Sequence, residues 1–257
     1  MENSLEFIAA LSLKAPLAAS NRAIFRDVME PAVQDLSFDK SKDQSFLSDK
    51  SALSFVSGVS EQNRTDVVQS TLLAQLAANK QFPDSSGSME WCNVFASVLS
   101  NIGWVIEGTG VSTYQMKGNI FAVNTAILEI LVSAFGQDYL SIIKTTIDSM
   151  RNLSDQDNRI RVFEKNTHSL SKGFFQVGLV SEQNNAVSLQ LGAFFISSSE
   201  RIDNILFFSS SKESSTLDYF SRKATFSPDI YKNIRQAVSN KLGTAVMKYV
   251  DQIDISL

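Results

Sequence analysis

The sequence predicts an α+β fold: a single domain in which α-helices pack before and after an antiparallel β meander. Three observations carry this expectation. From 65 to 151, apolar residues recur at spacings of three and four, as in one-sided helices. From 159 to 226 the period shortens to two and the gaps are short, which favours antiparallel strands. From 228 to 257 the helical spacing returns, and no repeat, low-complexity linker or charge block divides the 257 residues. Residues 1–64 read as a less regular helical region of the same domain.

The elements follow in order. Leu5–Leu13 and Asn21–Leu36 have helical patterns, with Pro31 bending or ending the second. Ser37–Arg64 is rich in Ser, Asp, Lys and Gln and reads as loop, with one apolar patch at Ala52, Leu53, Phe55 and Val56. Thr65 is placed as an N-cap, and a helix is expected over Asp66–Asn79. Ser88 opens the next helix, whose apolar face is Trp91, Val94, Phe95, Val98, Leu99 and Ile102, and Gly103 suits its C′ position. Trp104–Glu107 reads as a strand, with Val111–Gln115 pairing back.

Val123–Phe135 is apolar nearly all round, which predicts burial. Gly136 ends it and Asp138 opens a partner helix running through Met150, an αα-hairpin. Strands are expected at Arg159–Phe163, Gly173–Val180, Val187–Ser197, Ile202–Ser210 and Leu217–Phe226. Gly178 and Gly192 inside strands predict bulges or the close approach of another element. Alternation puts Val187, Leu189, Leu191, Ala193 and Phe195 on one face, while Phe194 and Ile196 imply that the other face is covered too. Ser227, Pro228 and Asp229 open the last long helix, lined by Ile230, Ile234, Val238 and Leu242 and ended by Gly243, with a further short helix in Thr244–Leu257.

Composition removes several functions. Lys plus Arg number 23 against 27 Asp plus Glu, a net charge of −4, which argues against a nucleic-acid partner. One cysteine leaves no internal disulfide and starves a zinc site of ligands; one histidine, His168, argues against a His-built metal centre or relay. No metal is expected. The segment Met1–Glu6 is acidic where a Sec-type signal is basic, and no apolar run reaches the ~20 residues that span a bilayer. The expectation is a chain made in the cytoplasm without such a signal, then exported or released by another route.

Individual candidates are sparse. His168 reads as a solvated loop histidine, and Gly108-Thr109-Gly110 lacks the later glycine of a phosphate loop. Glu129, in an apolar helix, reads as a carboxylate on a wet edge or paired locally. Cys92 is a small hydrophobe on a helix flank or, near the helix start, a dipole-assisted thiolate. Eighteen Phe include the doublets Phe174-Phe175, Phe194-Phe195 and Phe207-Phe208, each offering one ring to each side of a strand. A filled aromatic core is the simpler meaning; an apolar slot for a fatty chain is the sharper one.

The order of Met89-Glu90-Trp91, Val98-Leu99, Gly103-Trp104, Ile127-Leu128-Glu129-Ile130-Leu131, Phe175-Gln176-Val177-Gly178, Val187-Ser188-Leu189, Gly192-Ala193-Phe194, Ile205-Leu206-Phe207-Phe208 and Tyr231-Lys232-Asn233-Ile234-Arg235 resembles the Erwinia virulence factor (Evf) family over roughly Met89 to Leu242. That resemblance implies a single compact domain with an antiparallel β meander interleaved with and covered by antiparallel α-helices, in a non-enzymatic virulence protein promoting persistence in an insect gut. It also implies a fatty acyl chain, of the S-palmitoyl type, in thioester linkage to a cysteine with its tail buried in the protein. The acylated position falls where this chain has Ser209, which cannot carry a thioester; Cys92 is the alternative acceptor. The implied slot is lined by Phe195, Phe207, Leu191, Ile205 and Phe175, and burying the tail stabilises by about 0.8 kcal/mol per methylene. The implied partners are a lipid or membrane surface and a host factor. The element order is also similar to that of the Cyt-type cytolytic toxins, which implies instead a pore-forming protein whose hairpin Val123–Met150 swings out and inserts.

Overall fold

A computed structural model describes residues 2–14, 36–83, 89–108, 110–115, 120–137, 140–153, 157–211, 214–253 and 255. The Ser88 cap, the Asp138 helix start and the helix expected over 21–36, Leu36 apart, lie outside them. The described helices are α1 (Glu2–Ala10), α2 (Glu61–Gln81), α3 (Met89–Asn101), α4 (Val123–Phe135), α5 (Leu140–Asn152), α6 (Asn158–Thr167), α7 (Pro228–Tyr231), α8 (Arg235–Leu242) and α9 (Val246–Tyr249). The described strands are β1 (Gln44–Ser48), β2 (Ser51–Phe55), β3 (Val105–Gly108), β4 (Ser112–Thr113), β5 (Phe121–Ala122), β6 (His168–Ser169), β7 (Lys172–Gln183), β8 (Ala186–Ser197), β9 (Ser209–Ser210), β10 (Thr216–Phe226) and β11 (Val250–Ile253).

The class is the α+β one that the sequence predicts, built as a sheet between two helical layers. The sheet runs β11-β1-β2-β7-β8-β10-β3, with β4 added on β10 and β6 on β7. Its spine is the meander β7-β8-β10, antiparallel and in register over nearly its whole length. Asn184 and Asn185, both at positive φ, make the tight β7–β8 turn that such residues favour. On one face lie α1, α2, α3 and α8, around a core that includes Trp91, Phe174, Leu189 and Leu191. On the other lie α4, α5 and α6, around Ile127, Ile143, Phe163, Phe175 and Phe194. Covering both faces is why the spine strands are apolar on both.

Several expectations are corrected. The stretch expected as loop at Ser37–Arg64 contains the β1–β2 hairpin, buried along both strands. Its serines hid it: Ser51 Oγ donates to Gln176 at 2.8 Å, and Ser45 and Ser54 bond across to α5. β2 runs parallel to β7, so the sheet is not a pure meander. A parallel pair needs a long crossover, which here carries helices α2 to α6. The α2 cap is Ser60, whose Oγ accepts the Asn63 N–H at 3.3 Å; Thr65 lies inside the helix and donates to the Glu61 carbonyl.

Arg159–Phe163 is helix, not strand. Asp157 accepts the Arg159 N–H at 2.9 Å, and Ile160, Phe163 and Thr167 are buried at helical spacing. Ile202–Ser210 is irregular except for β9, which pairs with β5. Both edges of β8 are already filled by β7 and β10, so this segment takes other partners, the Ile202 N–H donating to the Leu170 carbonyl at 2.6 Å. β4 does not fold back on β3; both lie on the same edge of β10. α4 buries one face, leaving Thr125, Ser133 and Ala134 exposed. Ile230 is 60% exposed because the last helix breaks between α7 and α8, and the tail ends in β11 rather than in helix alone.

The glycine expectations fit the packing. A Cβ on Gly192 would stand 2.7 Å from Leu131 of α4, and one on Gly178 would stand 2.8 Å from Leu53. Gly103, at φ +90°, closes α3 in a Schellman turn, the Trp104 N–H reaching the Leu99 carbonyl at 3.0 Å.

Candidate functional site

The two spine doublets do what alternation predicts. Phe174 stacks on Phe195 at 4.8 Å on one face, and Phe175 on Phe194 at 5.2 Å on the other. This divides the expected slot. Leu191 and Phe195 belong to the first core, whereas Phe175, Ile205 and Phe207 belong to the second. The sheet lies between the two groups, so these five residues do not line one slot. The void beside Leu131, Phe135, Leu140, Ile143, Leu179 and Gln190 measures about 10 Å³, room for one water. A larger cleft, about 390 Å³, is bordered by Asp39, Lys42, Asp43 and Gln44 and is polar.

Ser209 is exposed in β9, beside the Phe121–Phe208 ring pair at 6.4 Å, on the rim of the second core. Its neighbour Ser210 is buried and donates to Glu200 at 2.5 Å. Cys92 is buried in the first core. Burial pushes its thiol up, against the opposing pull of Arg222. A thiol held neutral is a poor nucleophile.

His168 is not a solvated loop residue. It ends α6 and starts β6, with Nδ1 3.0 Å from Glu164 Oε2. The same carboxylate oxygen accepts the Ile205 N–H at 3.0 Å, so Glu164 pins the irregular segment over the second core. Glu129 pairs locally, as expected: the Tyr114 hydroxyl donates to it at 2.9 Å. Burial first, and then the Glu129 carboxylate, push the Tyr114 phenol up to about 12.

Two polar clusters escaped the sequence reading. At the β1–β2 turn, buried Asp49 accepts from Asn79 at 2.6 Å, and Asn79 accepts from Trp91 at 2.9 Å. Burial pushes the Asp49 carboxyl up and the adjacent Lys50 amine down; Lys50 Nζ donates to the Asn166 carbonyl. The second cluster is a hydroxyl triangle under α5. Thr146 Oγ1 lies 2.6 Å from Ser45 Oγ and 2.9 Å from Ser54 Oγ, and the two serines are 3.1 Å apart. All three are buried in the otherwise apolar contact of Ile142, Ile143, Ile147 and Met150 with the sheet. The sequence clue was a lone threonine in an apolar helical stripe.

No family model matches the chain, and no curated protein matches it in sequence. Solved structures do resemble it in backbone. A delta-endotoxin is 12% identical, covering 79% of this chain and 94% of its own, with a TM-score of 0.41. The activated Cyt2Ba monomer from Bacillus thuringiensis subsp. israelensis is 13% identical, covering 60% and 93%, with a TM-score of 0.32. The Evf virulence factor is 8% identical, covering 80% and 85%, with a TM-score of 0.37. At these values the likeness concerns the run of the backbone, and nothing about activity follows from it.

Proposed function

We propose that this chain is a non-enzymatic, toxin-like virulence protein of the insect gut that acts on membranes by lifting the α4–α5 hairpin from the sheet. The observation that supports it best is the make-up of that layer. The hairpin is held mainly by apolar contacts with Leu47, Val177, Leu179 and Phe194 of the sheet, and its polar ties among the described residues are few: the hydroxyl triangle and the Tyr114–Glu129 bond. Those apolar contacts stabilise the layer in water, but in lipid the hydrophobic preference between them vanishes. Each helix has 13 residues, about 20 Å, short of the ~30 Å hydrocarbon core. Among the described residues, no helix is long and apolar enough to cross a membrane. The lifted hairpin therefore lies in the interface. Dye-loaded phospholipid vesicles are expected to leak at micromolar protein; vesicles that stay intact remove the proposal.

The acyl-carrying form of this reading draws on position 209, exposed at the rim of the second core beside Phe208. With that core closed, a tail there lies under a lifted hairpin or in the bilayer. It predicts a hydroxylamine-sensitive mass gain for Ser209→Cys and none for the native serine. An unmodified intact mass for the variant eliminates it.

A further inference from the structure

Among the described residues, three tight hairpin turns hold a non-glycine residue at positive φ. Two follow turn chemistry: Asp49 (φ 52°) in β1–β2, and Asn184 and Asn185 (φ 50° and 59°) in β7–β8. The third breaks it. The β6–β7 turn places Leu170 at φ 39°, where Gly or Asn is the residue that fits freely. Packing does not explain the leucine, because its side chain is 74% exposed. The fold does use its backbone, the Leu170 carbonyl accepting the Ile202 N–H, but that bond is indifferent to the side chain. Exposure alone is ordinary for a single leucine; it is the strained backbone, kept with no structural return, that points to a contact outside the molecule.

The surroundings say what kind. Lys172 adjoins the turn, and Arg161 and Lys165 lie one turn apart on α6 leading into it; all three are exposed. Val162, 37% exposed, adds a second apolar side chain. Of the nearby acids, Asp203 pairs with Arg201 at 2.8 Å, Glu164 turns inward to His168, and Glu200 accepts from Ser210. This cationic rim stands out on a chain of net charge −4.

We propose that the Leu170 tip docks the protein on anionic lipid bilayers. The leucine enters the boundary between headgroups and acyl chains, and Arg161, Lys165 and Lys172 face the lipid charges. This rests on the membrane-acting reading and names its first contact. The test is co-sedimentation of the full chain with vesicles of phosphatidylcholine, with and without phosphatidylglycerol. Leu170→Asn is expected to melt no lower than the native chain, since Asn suits the left-handed position, yet to bind anionic vesicles about tenfold more weakly. Lys172→Gln is expected to lose about fivefold, a loss that shrinks as salt rises. If both variants bind as the native chain does while native protein still releases dye, the tip is not the docking surface and this proposal falls alone. If native protein neither binds nor releases dye, the membrane reading falls with it. If Leu170→Asn instead abolishes self-association in sedimentation velocity and leaves vesicle binding unchanged, the tip joins copies of the chain and the proposal is overturned.

Discussion

Arg64→Ala is expected to cost about 3–5 kcal/mol of folding stability, read as a lower midpoint of urea unfolding at unchanged slope. Arg64 is enclosed completely in α2. Its guanidinium donates to the Val59 carbonyl at 2.9 Å, Gln44 Oε1 at 2.8 Å, the Lys42 carbonyl at 2.9 Å and the Val56 carbonyl at 3.0 Å. Lys42 precedes β1, and Val56 and Val59 follow β2, so one side chain closes the open end of the hairpin. Truncation orphans the buried Val59 carbonyl, strips Gln44, Lys42 and Val56 of a donor, and leaves a void beside Phe55, whose ring lies 5.5 Å from the guanidinium. Arg64→Lys is expected to recover little, because a single ammonium cannot reach four acceptors in that fork. A loss near the ~0.5 kcal/mol of an ordinary surface change would show that the hairpin end does not depend on it.

The second large effect is functional. Ser54→Cys with Thr146→Cys is expected to abolish dye release when oxidised and to regain it on reduction. The native hydroxyls are 2.9 Å apart, which brings their Cβ atoms close to the ~3.5–4.5 Å that a disulfide needs. The bridge would tie α5 to β2, and Cys92, buried in the core on the opposite face, does not compete. Thermal stability should rise by about 2–4 kcal/mol in the oxidised form. Release by an oxidised protein that matches the reduced one would mean that the hairpin is not the moving part, whatever the protein does to membranes.

Legibility differed by element for physical reasons. α3, α4, β7, β8 and β10 were readable because each carries its own period, cap or turn over a dozen residues. β1–β2 was not, since five-residue strands rich in serine look like loop until the partners of their hydroxyls, Thr146 and Gln176, are known. α6 was misread because Ile160 and Phe163 suit either period over so few residues, and the Asp157 cap decided it. For the candidate site, Glu129 was readable as a locally paired acid. The hydroxyl triangle and the Leu170 tip were not: one joins residues about a hundred positions apart, and the other is visible only as a backbone angle.

The chain's local chemistry alone settles the α+β class, the two-sided apolar character of the meander and the assignment of Phe194 and Phe195 to opposite faces. Periodicity and turn residues act between near neighbours, so they need no knowledge of the rest of the molecule. Only the tertiary structure decides which face each distant segment joins. Ile205 and Phe207 arrive on the second face because Glu164 and the β6–β7 turn hold their segment there, while Leu191 and Phe195 point to the first. A period of two orders side chains within one strand, but it carries no information about the side of the sheet to which a loop returns.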